Sequence, residues 1–197
     1  MDLENIDTIE THPIQPFFPK NAEVLMLGSF PPPKARWKMD FFYPNLQNDM
    51  WRIFGIIFFS NKNYFLTENL KLFNEPLLHT FLEEKKIALW DTAMEIIRHQ
   101  GNASDKFLEV IRPIDLEETL GNLPECKAIA LTGQKATDIL MEILGCKEPP
   151  VGGFTETVFR NHSLRIYRMP SSSRAYPKPV EEKAAVYEKM FRDLEYL

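Results

Sequence analysis

Residues 24–54, VLMLGSFPPPKARWKMDFFYPNLQNDMWRIF, decide how this chain is read. The apolar run Val24–Leu27 has the length of a strand and stops at Gly28-Ser29. A Pro-rich loop with basic and aromatic residues follows, and Asn48-Asp49 then opens a helical apolar run. A strand that stops at Gly, and a loop that feeds a helix N-terminus, gather backbone N–H groups and polar side chains at one place. In an open α/β sheet that place, beyond the carboxyl end of a strand, is the usual ligand crevice.

Working outward, residues 1–20 carry Pro13, Pro16 and Pro19 and read as an extended lead-in. Glu23–Leu27 is the first predicted strand, apolar enough to be buried on both faces. Met50–Phe59 is apolar almost all round, as in a deeply packed helix. Leu70–Lys86 holds another helix, with Pro76 in its first turn. Ile87–Trp90 is a second strand ending at Asp91, residues 115–122 a short helix, and Lys127–Leu131 a third strand ending at Thr132-Gly133. Ala136, Ile139, Leu140, Ile143 and Leu144 then form one helical stripe closed by Gly145. Thr157–Met169 carries two short strands around Asn161-His162, the second completing a hairpin or joining the main sheet. After Pro177 and Pro179 a last helix buries Ala184, Tyr187, Phe191 and Leu194. The alternation predicts an α/β fold, a three-layer α/β/α domain over residues 1–197 with a mainly parallel central sheet of about four strands.

Composition narrows the function. With 197 residues, 44% of them hydrophobic and 12% aromatic, the chain is long enough to bury a core without staples. Cys126 and Cys146 are far apart and have no metal-ligand spacing, which excludes a four-cysteine cluster and suits a reducing cytoplasm. No metal and no cofactor is expected. The acidic N-terminus is no signal peptide, and no apolar run approaches the ~18 residues of a membrane span. Neither GxGxxG nor GxxxxGK[ST] follows any strand, which disfavours a nucleotide-using enzyme. A net charge of −5 argues against broad nucleic-acid coating. It leaves room for a local basic face built from Arg36, Lys38, Arg98, Arg160, Arg165, Arg168, Arg174 and Lys178.

The predicted strands end in polar groups that a parallel sheet brings to one edge: Gly28-Ser29, Trp90-Asp91, Thr132-Gly133, and Met169-Pro170-Ser171-Ser172-Ser173. Together with the spacing Tyr43-Pro44-x-x-x-Asn48-x-Met50-Trp51, these motifs resemble the uracil-DNA glycosylase superfamily. The Gly-Ser-Phe-Pro opening, Leu89-Trp90-Asp91, Thr132-Gly133-x-x-Ala136 and Pro170-Ser171-Ser172-Ser173 are most similar to its hypoxanthine-excising branch, in order over residues 22–176.

The resemblance implies a metal-independent monomer that flips a deaminated or mismatched base out of DNA and hydrolyses its N-glycosidic bond. It implies that Gly28, Ser29, Phe30 and Tyr43 enclose the base, Asp91 reads its edge, Asn48 acts in catalysis, and Ser171, Ser172, Ser173 and Arg174 hold the strand. The chain also departs from the pattern. Phe30 stands where most branches place an Asp or Asn that activates water, and Met169 stands where the uracil-specific branch has a catalytic His. The hypoxanthine branch shares the first departure and relies on the Asn that falls at Asn48, but its Phe before the Trp is Met50 here.

Each residue also has a plainer reading. Asn48 suits an N-cap, Asp91 a cap of the next segment, Tyr43 or Phe42 a lid on the core, and Ser171–Ser173 a solvated loop. Trp51 reads as core, and His12, His79, His99 and His162 as structural or surface residues, with His99 the exception to watch.

Overall fold

The computed structural model describes residues 8–99 and 104–197. The chain runs β1 (Ile9–Thr11), β2 (Val24–Gly28), α1 (Met50–Phe59), α2 (Glu75–Glu84), β3 (Ile87–Asp91), β4 (Ala93–Arg98), β5 (Leu108–Pro113), α3 (Leu116–Gly121), β6 (Ala128–Thr132), α4 (Gln134–Leu144), β7 (Phe154–Phe159), β8 (His162–Met169) and α5 (Val180–Asp193). The main sheet has five strands in the order β3-β2-β6-β8-β7. The first four are parallel, and β7 is antiparallel on the edge.

Every residue of β2 and β6 is buried, as central strands covered on both faces must be. The period of two then divides them. Val24, Met26, Ala128 and Ala130 pack on the layer that holds α1, α2 and α5. Leu25, Leu27, Ile129 and Leu131 pack on the layer of α3 and α4. The fold is thus α/β in three layers, as the alternation predicted.

Local chemistry sets the helix ends. Asn74 accepts a hydrogen bond from the Leu77 N–H at 3.2 Å and starts α2, with Pro76 in the first turn. The helix expected within residues 70–86, with Pro76 in its first turn, spans Glu75–Glu84. The residues before it form a turn closed by the Leu66–Phe73 bridge, with Leu70 at φ 57°. Gly145, at φ 61°, terminates α4. The β7–β8 turn falls at Arg160-Asn161, and β8 both completes the hairpin and joins β6, so the two readings hold together.

Between β3 and α3 the expected alternation gives way to a second sheet, β1-β4-β5, antiparallel throughout. It is stitched under the end of β2. The Thr92 N–H and hydroxyl both donate to the Gly28 carbonyl, at 2.9 and 3.0 Å, and the Ala93 N–H donates to the Ser29 carbonyl at 3.0 Å. Part of the lead-in joins this sheet, where Ile9 pairs with Ile97, and farther on Phe17 bridges Leu89 of β3 in the main sheet. Among the described residues no helix is long and apolar enough to cross a membrane.

Candidate active site

The carboxyl ends of the four parallel strands meet at one edge, where Gly28 lies in register with Asp91 and Thr132 with Met169. A cavity of about 770 Å³ opens there. Gly28, Ser29, Phe30, Tyr43, Asn48, Asp91, Asp105, Thr132, Lys135 and Pro170–Arg174 are in its wall. Every site residue singled out in the sequence therefore reaches one cavity. A second cavity, about 610 Å³, lies between the β7–β8 hairpin and the end of α5. Arg165 in its wall is already paired with Glu156, and it gathers none of the strand-end motifs.

Asp91 is buried, 6% exposed, and its Oδ2 lies 2.8 Å from Nε2 of His12. His12 follows β1 directly, is held by its N–H on the Met94 carbonyl, and turns Nδ1 toward the Ile14 carbonyl at 2.9 Å. Its side chain is 3% exposed, so of the two expected roles the surface one fails for His12, which is a buried histidine that orients Asp91 from behind the cavity wall. The other oxygen of Asp91 needs the glycine opposite: a Cβ on Gly28 would come within 2.5 Å of Oδ1.

Tyr43 sits at φ 51°, a backbone region that costs a non-glycine residue strain. The Thr132 hydroxyl donates to the Leu27 carbonyl at 3.2 Å, so the Tyr43 phenol donates to Thr132 at 3.1 Å. Burial, with the nearby Asp91 charge, pushes this phenol well above its ordinary value and keeps it neutral. Its ring meets Trp51 edge-on at 5.7 Å, while Trp51 itself is core, 1% exposed.

Asn48 precedes α1, whose N-cap position is taken by Asp49. Its Oδ1 nonetheless accepts the Met50 N–H at 2.9 Å, which fixes the amide plane. The Nδ2 group meets no acceptor among the described residues, in a residue that lines the cavity. Capping and a donor aimed at a ligand are thus compatible in one side chain.

Asp49 ties this loop to the serine-rich turn. It is 4% exposed and faces Arg174 Nε at 2.9 Å, Lys183 Nζ at 3.4 Å and Arg52 at 3.8 Å. Its N–H donates to the Ser172 carbonyl, and the fully buried Lys183 donates to the Ser173 carbonyl at 2.8 Å. Ser172 is buried beneath the turn, whereas Ser171 and Ser173 are half-buried. Asp105, from a short 3-10 turn (Asp105–Phe107) between β4 and β5, accepts the Ser29 hydroxyl at 2.8 Å, and burial raises its carboxyl above the ordinary value.

The expected basic face is smaller than the sequence suggested. Arg36, Lys135 and Arg174 border the cavity. Arg168 is there too but is paired with Glu148. Arg98 is locked on Glu10 and the Pro31 carbonyl, and Arg160 on Glu117. Arg165 lies in register with Ala128, at the far end of the sheet. The N-terminus of α4, uncapped by any side chain, opens at the cavity beside Gln134 and Lys135 and adds positive potential. Among the described residues no group of three or more His, Cys, Asp or Glu side chains could hold a metal ion.

No family model matches the sequence, and no curated protein matches it. Solved structures do. The chain is similar to a protein from Methanosarcina acetivorans whose solution NMR structure is described as that of a "putative Uracil DNA glycosylase". The TM-score is 0.65 at 22% identity, covering 95% of this chain and 99% of that one. The likeness establishes the shared α/β fold.

Proposed function

We propose that the protein is a monomeric, single-domain, metal-independent DNA glycosylase of the uracil-DNA glycosylase superfamily, nearest its hypoxanthine-excising branch, acting on deaminated bases inside the cell. The observation that carries this reading is the convergence of a free Asn48 amide donor, a clamped Asp91 carboxylate and an aromatic wall in one cavity at the sheet edge. The motifs quoted above, in the same order along the chain, support it. So does the described name of the solved neighbour.

The chemistry follows from the groups. A base flipped into the cavity stacks on Tyr43 and Phe30, which offsets a flipping cost of a few kcal/mol at about 1–3 kcal/mol per stacked ring. Asp91 turns Oδ1 to the base edge. Deamination of adenine or cytosine replaces a bare ring nitrogen by an N–H beside a new carbonyl, so hypoxanthine and uracil both offer a hydrogen to this oxygen, and their parents offer a lone pair. As the glycosidic bond breaks, negative charge develops on the base. Asn48 Nδ2–H donates to it, and a preorganised donor acts most strongly where charge is forming. The Ser171–Ser173 turn and Arg174 grip the strand through phosphate.

Asn48 gives the test. With Oδ1 already engaged by Met50, Asn48→Asp removes the donor and sets a charge beside a forming anion. Single-turnover excision from a duplex with one hypoxanthine or uracil is expected to fall about 100- to 1,000-fold. Melting temperature should hold, because Asp caps about as well as Asn. Asn48→Leu should abolish excision. Full activity in a folded Asn48→Leu protein contradicts the assignment.

A further inference from the structure

Departure of the base is half of a hydrolysis. A water must also add to C1′ of the sugar and give up a proton, and most acceptors in the cavity wall are already engaged. Asp91 holds His12, the Asn48 Oδ1 takes the Met50 N–H, the Tyr43 oxygen is committed to Thr132, and Phe30 has no acceptor. Asp105 differs. Ser29 occupies its Oδ1 at 2.8 Å, and its Oδ2 meets no donor among the described residues.

We propose that Asp105 is the general base of the reaction, its Oδ2 taking the proton of the attacking water. The inference rests on the glycosylase reading above. The C1′–N bond breaks with its electron pair going to the base, and the water oxygen bonds to C1′. The water's proton passes to Asp105 and then to solvent, and the departing base anion takes a proton from solvent in turn. The products are the free base and an abasic site with a C1′ hydroxyl, and no oxidant or reductant is needed.

The second sheet explains how this carboxylate gets there. Thr92 and Ala93 fasten the start of β4 beneath Gly28 and Ser29, and the 3-10 turn before β5 sets Asp105 against Ser29. Ser29 faces the carboxyl from the loop after β2, Asp91 from β3, Arg98 from β4 and Lys135 from α4. Burial raises its pKa most, and Asp91 adds to the rise, while Ser29, Lys135 and Arg98 oppose it. A carboxylate moved toward neutrality is a stronger base than an exposed one.

The test is the pH dependence of single-turnover excision from a duplex with one hypoxanthine or one uracil. Asp105→Asn keeps the size and the acceptor for Ser29 but takes up no proton. Its rate is expected to fall about 100-fold or more, with binding of the same duplex and melting temperature unchanged. Because the deprotonated carboxylate is the active form, the wild-type rate should drop on the acid side, and this limb should vanish in Asp105→Asn. Ser29→Ala removes a bond that lowers the carboxyl pKa, so its acid limb should move to higher pH, which a structural role would not produce. If the wild type excises and Asp105→Asn keeps both rate and acid limb, the assignment of Asp105 is overturned and the glycosylase stands. A wild type that binds the duplexes but releases no base overturns both.

Discussion

In the proposed reaction the absence of a side chain at Gly28 is what lets Asp91 take its place. The Asp91 carboxylate is fixed from one side by His12 and can approach the β2 backbone on the other because no Cβ is there. Gly28→Ala puts a carbon within 2.5 Å of Oδ1 and must displace the carboxylate, since His12 and the strand leave it little room. A shift of about 1 Å at a reacting site costs about 100-fold in rate, and that loss of excision is expected with secondary structure intact by circular dichroism. A wild-type rate in Gly28→Ala would show that Asp91 is not held where the base edge arrives. The strand-end residues Gly28, Ser29, Asp91 and Ser171–Ser173 were legible in the sequence because parallel strands must share an edge. His12 and Asp105 were not. Each lies far in sequence from its partner, Asp91 or Ser29, and neither sits in a motif, so only the fold brings the pairs together.

Among elements, the parallel strands and α1, α4 and α5 were readable from apolar runs and stripes, because burial on both faces or on one stripe leaves an unmistakable pattern. The second sheet was not readable. β4 begins a single residue after β3 ends, and β5 exposes residues such as Ile111, so neither shows a clean period. Their placement depends on hydrogen bonds from Thr92 and Ala93 to the end of β2, a tertiary fact. The buried charges around Asp49 are of the same kind and join α1, the serine-rich turn and α5. Asp49→Ala leaves Lys183, 0% exposed, without a counter-charge. A loss of about 3–5 kcal/mol is expected, read as a lower urea midpoint at unchanged slope. Replacing both partners, Asp49→Asn with Lys183→Met, should return part of it, because the buried ammonium is gone while Arg52 still lacks its carboxylate. An unshifted midpoint in Asp49→Ala would mean that Arg174 and Lys183 are solvated and the turn is not held by this contact.

For the whole molecule, the layers place the chemistry. Helices cover both faces of the sheet, so a ligand is left the carboxyl edge, and there the wall combines a donor, two carboxylates, aromatic rings and the N-terminus of α4. Net charge is −5 overall, so on the proposed reading attraction to DNA comes from Arg36 and Lys135 at that edge, with Arg174 added although its Nε is held by Asp49. The most direct measurement is release of free base. Duplexes carrying one hypoxanthine, uracil, xanthine or G·T mismatch are incubated with the protein in excess chelator, the released base is identified by mass, and the strand is treated with alkali. The expected result is free hypoxanthine or uracil in equal amount to new alkali-labile breaks at the lesion, with none from undamaged DNA. A mobility shift on these duplexes without released base or breaks at any lesion would contradict the enzyme reading and leave a binding module on the same fold.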